Sequence, residues 1–295
     1  ENPILPLLQE TVENYSNDKE LIRSAKLRFR IYHAVTQILL QKRDYKALEE
    51  YLLSIYKEFT EEKLFVRTNH DTKLQMLVYL VNSLFKNNKL KESLLYTEQL
   101  RSAMEEYQRM YYDKYLFFYY NSLVINYSRL DRNRAIEILD EMKGNEKIVS
   151  NPFYEMFVYL NLAVSWFDKK DFHQSIRNLN KLYLLKGYEN ADRSLQFKIA
   201  IAELMIRYEL KDFDVLENKI RQVKKDFKEF FTRQSNSREI LMVNVIGRLI
   251  ESDSLKNEKG LIAKVKQLIF ESETEDAGDS EILNYKTWLK EKLSM

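Results

Sequence analysis

Three asparagines stand at a near-constant spacing: Asn82, Asn121 and Asn161 are 39 and 40 residues apart by subtraction. A carboxamide carries both donors and an acceptor, the set that matches the N–H and C=O groups of an extended peptide. If the three positions are equivalent in a stacked array, their amides face one groove. Tyr119, Asn126, Glu203 and Arg207 fall close by in the same kind of segment, and with the three asparagines they form the candidate peptide-binding set. The same amides would also serve to bridge neighbouring helices, and spacing alone leaves both roles open.

Other chemistry is sparsely provided for. Cysteine is absent, which excludes disulfides, thiolate metal sites and cysteine nucleophiles. The five glycines, at 144, 187, 247, 260 and 278, never cluster as a phosphate-cradling loop requires. No Gly-x-Ser-x-Gly elbow occurs, and His33, His70 and His173 form no His-x-x-x-His or Glu-x-x-His arrangement. The acidic run from Glu271 to Glu281 lacks the alternating ligand order of an EF-hand and reads as a solvated linker. Lys219, Arg221, Lys224, Lys225 and Lys228 make a basic stripe beside Phe227, Phe230 and Phe231, but Asp226 and Glu229 interrupt it. The stripe reads as an outer helix face with its aromatics in the core. With a formal net charge of +2, the chain has no general attraction to nucleic acid. These residues predict a non-enzymatic protein with no cofactor and no metal.

The elements that would position the asparagines are helices. Five glycines and three prolines in 295 residues leave little turn chemistry for a strand-rich fold, since an average chain of this length holds roughly 20 and 15. Apolar residues recur at three and four, as at Leu27, Ile31, Ala34 and Ile38, with Lys26, Arg30, His33, Gln37 and Gln41 on another face. A short Lys/Arg/Asp break then leads into a second helix from Tyr45. The same two-helix pattern repeats from His70, Met110, Pro152, Asp192 and Ser237, which predicts six antiparallel pairs. The small or compact residue near the start of each second helix falls at Ala47, Ser93, Ala135, Ser175 and Val215, a period near 40. A small residue lies about 12 positions earlier in each first helix, at Ala34, Ser83, Ser122, Ala163 and Ala202, so the paired helices are expected to approach closely there. Gly144 and Gly187 stand where a C-cap glycine belongs, and Gly247 stands inside a helix, where it predicts close packing. The aromatic run from Met110 to Asn121 predicts a helix contacted on several sides.

The small residue in each first helix, the Asp/Asn/Lys break, the aromatic or Leu at the turn (Tyr45, Leu90, Phe172, Phe213) and the small residue opening the second helix resemble the tetratricopeptide-repeat superfamily. Asp171-Phe172-His173-Gln174-Ser175-Ile176 comes nearest to that family's turn. The period near 40 exceeds the family's 34, the Trp-Leu-Gly positions are not reproduced, and HEAT-like repeats share the longer period. The resemblance implies an all-α, right-handed superhelix that binds a protein or peptide on its concave face. Groove asparagines do this in the family beside cations that hold a terminal carboxylate, but that clamp is not recognisable here.

The domain reading is a helix at 1–20 that is the remnant of an upstream repeat, repeats over 21–271, the acidic linker at 272–281 and a capping helix at 282–295. The opening Glu1-Asn2-Pro3 and the lack of a charged n-region with an apolar h-region read as a processed or truncated start. The alternative function is a sensory or regulatory helical module of a larger transcription regulator or signalling protein. No apolar run reaches the roughly 18 residues of a membrane helix, and a reducing cytoplasm fits the composition.

Overall fold

A computed structural model of the chain describes residues 24–232, 237–252, 259–271 and 281–293. The helix expected at 1–20, the linker at 272–280 and the break within the sixth pair lie outside these residues. Among the described residues every regular element is a helix and no strand occurs. The chain divides into two compact units, Glu1–Met142 and Lys143–Met295. The first unit holds α1 (Ala25–Lys42), α2 (Tyr45–Glu61), α3 (His70–Lys86), α4 (Leu90–Met104), α5 (Tyr112–Leu130) and nearly all of α6 (Arg132–Lys143). The second holds α7 (Pro152–Asp168), α8 (Phe172–Tyr183), α9 (Arg193–Glu209), α10 (Phe213–Asp226), α11 (Ser237–Ser252), α12 (Lys259–Glu271) and α13 (Tyr285–Leu293).

One turn recurs between paired helices. At Arg43, Asn88, Lys170 and Lys211 the backbone is left-handed, with φ of 54°, 60°, 62° and 58°. The next residue in each case, Asp44, Lys89, Asp171 or Asp212, returns its N–H to the carbonyl of Leu39, Leu84, Trp166 or Arg207 at 2.9–3.2 Å. This six-to-one bond satisfies carbonyls that the helix end leaves open. The residue after the left-handed one is then the N-cap of the second helix. The carboxylates of Asp44 and Asp171 accept the N–H of Ala47 and Gln174, both at 3.0 Å, as N-caps do. Glycine is the usual occupant of the left-handed position, but here it is a cation or asparagine. Gly144 directly follows α6, as expected of a C-cap position, whereas Gly187 lies in a separate turn beyond the end of α8. No glycine with a left-handed φ is found among the described residues.

The register corrects the sequence reading by one residue at both ends. Four residues past Asp44, Lys89, Asp131, Asp171 and Asp212 stand Leu48, Ser93, Ala135, Ser175 and Leu216, each donating its N–H to that residue's carbonyl at 2.9–3.0 Å. All five are buried, whereas Ala47 is only half-buried and Val215 is exposed. The intervals become 45, 42, 40 and 41 by subtraction. Close approach is seen where the residue is a serine. Ser93 Oγ donates to the Val81 carbonyl at 3.0 Å and Ser175 Oγ to the Ala163 carbonyl at 2.7 Å, each 12 residues back on the preceding helix.

In the first unit α3 packs on α2, α4 and α5, and Tyr32, Leu48, Leu52, Phe59, Met76 and Leu80 are buried together. The aromatic run lies on α5, where Tyr115, Leu116, Phe117 and Tyr119 are buried. Between α4 and α5 the residues Tyr107, Gln108 and Arg109 are left-handed in succession. This turn lies over His70, which is 1% exposed, with Tyr107 edge-on at 4.8 Å and Tyr111 stacked at 6.1 Å.

Burial holds the His70 pKa below its ordinary 6.5, while the Glu106 carboxylate, 3.6 Å from Nδ1, pulls against it. The unfolded chain therefore takes up this proton more readily than the folded one. The contribution to stability is full above about pH 6.5 and is lost as pH falls. Thermal melts between pH 7 and pH 5 should fall more steeply for the wild type than for His70→Phe. Parallel profiles would remove His70 from the acid response.

In the second unit α7 packs on α8, α9 on α8, α10 and α11, and α12 on α11 and α13. Gly187 lies in the single turn Lys186–Glu189. A Cβ built there would stand 2.3 Å from the Pro152 carbonyl oxygen, so close backbone approach is what requires this glycine. At Gly247 a Cβ would meet nothing within 4 Å, which overturns the expected tight packing of the sixth pair. Helix α13 buries Tyr285, Trp288 and Leu289. Trp288 stands edge-on to Tyr208 at 5.6 Å, and its Nε1 donates to Glu209, which also pairs with Lys292 at 2.6 Å. Arg238 pairs with Glu281 just ahead of the helix.

Candidate functional site

The two most ionic members of the predicted set, Glu203 and Arg207, are neighbours one turn apart on α9. Arg207 Nε donates to Glu203 Oε1 at 2.7 Å, and Lys219 Nζ on α10 stands 3.2 Å from the same oxygen. Tyr183, at the end of α8, donates its hydroxyl to Oε2 at 2.8 Å. Arg207 also reaches Asp212 Oδ2 at 2.9 Å, across the α9–α10 turn. Glu203 is 4% exposed, and a buried carboxylate is tolerable only when its lone pairs are met this fully.

This network floors a cleft of about 650 Å³ bounded by the end of α8, the first half of α9 and the last half of α10. Ala200, Val223, Phe227, Tyr183 and Tyr188 supply apolar surface, and Arg193, Gln196, Lys219, Gln222 and Asp226 supply polar groups. Arg193 is fixed by Gln196 at 3.1 Å and the Asp226 carbonyl at 2.6 Å, with its guanidinium 4.4 Å from the Phe227 ring centroid. Burial raises the Tyr183 pKa well above its ordinary value, with the Glu203 carboxylate adding to it, and burial pushes Tyr188 up to about 12. Both phenols are therefore neutral donors at physiological pH. Such a site can recognise a ligand by shape and hydrogen bonds. Its one buried carboxylate is held by three donors and offers no free base.

The remaining predicted residues are placed differently. Asn126 is fully enclosed, and its amide donates to Ser93 Oγ and the Ser122 carbonyl, both at 2.8 Å, so it is spent on joining α4 to α5. Tyr119 is 8% exposed, with the Arg101 guanidinium 5.2 Å from its ring. Asn161 is half-buried and donates to the Phe157 carbonyl of its own helix at 2.9 Å. Asn82 and Asn121 are half-buried on α3 and α5, and neither amide has a hydrogen-bond partner among the described residues. They belong to the first unit, and Asn161, Glu203 and Arg207 to the second.

No family model, curated protein or solved structure matches the chain.

The residues that sequence reasoning missed are Tyr183, Tyr188, Gln196 and Gln222. The available signal was Lys219, whose place in the basic stripe looked like outer-face charge. Lys219 instead turns to Glu203, and Arg221 donates to Asn218 at 2.9 Å, while Lys224, Lys225 and Lys228 stay exposed. The stripe's aromatics do enter the core, where Phe227 and Phe230 lie 5.3 and 5.1 Å from Phe197. Among the described residues no group of three or more His, Asp or Glu is placed to hold a metal ion, and no helix is long and apolar enough to cross a membrane.

Proposed function

We propose that the chain is a tetratricopeptide-like right-handed solenoid that binds a protein or peptide partner and performs no chemistry of its own. The observation that carries this reading is the cleft over Glu203, a concave, partly apolar surface whose buried charges are satisfied internally while Gln222 and Asp226 remain open at its rim. A volume of this order suits one large side chain and its flanking backbone. The repeated left-handed turn and the serine-to-carbonyl bonds support a repeat architecture, in which α13 closes one end as terminal helices must.

The test is affinity capture followed by mass spectrometry with three proteins. The wild type should retain a partner that a Gln222→Trp/Asp226→Arg variant loses, with helicity and melting unchanged. An Asn82→Ala/Asn121→Ala/Asn161→Ala variant that loses the same partner would move the site to the asparagines. Undiminished capture by both variants would sink both surfaces.

A further inference from the structure

The polar face of α1 has no part in the peptide cleft, yet three of its residues converge on a cavity. Lys26, Arg30 and His33, at positions i, i+4 and i+7, occupy one stripe of the helix. Lys63, from the left-handed turn after α2, meets them across a cavity of about 840 Å³, with Thr68 and Thr72 on its wall. The other basic side chains of this neighbourhood are spoken for. Arg28, on the same helix, pairs with Glu58 and Glu62, and Lys73 holds Glu106 at 2.6 Å. Lys26, Arg30 and Lys63 have no carboxylate partner among the described residues.

The one carboxylate at this cavity, Asp71, does not neutralise them. Its Oδ1 is taken by Lys114 Nζ at 2.6 Å and the Tyr115 hydroxyl at 3.0 Å. The loop forming the far wall is tied by two hydrogen bonds of Asn69. Asn69 Oδ1 accepts the Val66 N–H at 2.8 Å, and its Nδ2 donates to the Leu64 carbonyl at 2.7 Å. Phe29 and Tyr111 add aromatic surface. His33 is half-buried with its ring 4.8 Å from Tyr32, and burial lowers its pKa, with Asp71 opposing. It therefore stands beside the cations as a neutral imidazole with one N–H to give.

Three cations without a carboxylate partner among the described residues, an imidazole and two hydroxyls are more donors than the two oxygens of a carboxylate can use. A phosphate monoester presents three terminal oxygens and a charge near −2, and takes several charge-assisted hydrogen bonds at once. We propose that this cavity is a binding site for a phosphate monoester, with the phosphate held by Lys26, Arg30 and Lys63 and the ester's apolar body against Phe29 and Tyr111. The site is separate from the peptide cleft, and its failure would leave that reading untouched.

Isothermal titration of the full chain with phenyl phosphate tests the proposal. Phenyl phosphate should bind at least tenfold more tightly than benzoate, and more tightly than inorganic phosphate, which lacks the apolar body. Arg30→Ala/Lys63→Ala should weaken it at least tenfold. A Lys224→Ala/Lys225→Ala variant, which removes exposed cations elsewhere, should bind as the wild type does. The ring resonances of His33 should shift on addition of ligand.

A five-residue peptide carrying a central phosphotyrosine distinguishes the source of the phosphate. Tighter binding than phenyl phosphate points to a modified protein, and weaker binding points to a free phosphorylated small molecule. Benzoate binding as tightly as phenyl phosphate, equal weakening by the two double variants, or unmoved His33 resonances would each overturn the proposal.

Discussion

Gly187→Ala is expected to lower the stability of the chain by about 3 kcal/mol, the upper part of the range for forcing extra volume into a filled site. The added Cβ would stand 2.3 Å from the Pro152 carbonyl oxygen and 2.8 Å from its carbon. Both are backbone atoms in the first turn of α7, so no side-chain rotation relieves the contact. The turn Lys186–Glu189 must move off α7, or α7 must lose its N-terminal turn. Gly247→Ala is the internal control. Nothing lies within 4 Å of a Cβ there, and alanine is better by up to about 1 kcal/mol in a helix, so this variant should be slightly stabilised. Urea midpoints for the two variants should therefore move in opposite directions. Equal midpoints would mean that the α7 contact yields cheaply.

The second large effect is expected at Arg207. Truncation to alanine removes the nearest donor to Glu203 and leaves that carboxylate, 4% exposed, with Lys219 and Tyr183 alone. Removing one partner of a buried ion pair costs about 3 to 5 kcal/mol, because the surviving charge has lost its compensation. The loss should sit near the lower figure, since Lys219 remains 3.2 Å away. Tyr183→Phe deletes a single hydrogen bond to the same carboxylate and should cost about 1 kcal/mol. Replacing Glu203 and Arg207 together with leucine should cost less than the two single replacements summed, as double-mutant cycles of coupled groups show. A strictly additive cycle in urea unfolding would argue that the network contributes nothing cooperative.

Much of the fold was legible because its punctuation is chemical. The Lys/Arg/Asp breaks mark the turns, and helices open within two residues of where Tyr45, His70, Pro152 and Phe172 signal them. The register was less legible. A small residue marks the position in the sequence, but in the first and fifth pairs Leu48 and Leu216 occupy the place that Ser93, Ala135 and Ser175 fill in the others. Leucine has no signature of its own among so many apolar residues. The glycines misled for a related reason, since Gly187 is demanded by space and Gly247 by nothing in contact with it. As for the site, Glu203 and Arg207 do meet, being one helical turn apart. Tyr183 and Lys219 join them from other helices, and no local pattern announces that. Asn126 showed the opposite failure, because a periodic polar residue on a helix is equally suited to bind Ser93 within the core.

The left-handed turns carry one more consequence. At Arg43, Lys170 and Lys211 the residue that bears the conformational cost is also a full positive charge, set at the end of a helix whose last carbonyls are partially negative. Attraction to that end contributes about 0.3–1 kcal/mol per turn, which offsets part of what a non-glycine residue loses there. Glycine would relieve the strain and forfeit the attraction, so part of what the shortage of glycine costs these turns is returned by charge. Because mobile ions screen such an exposed interaction within about 10 Å at 0.1 M, the balance tips with ionic strength. The joints between helices are therefore one set of places where added salt should lower the stability of this protein.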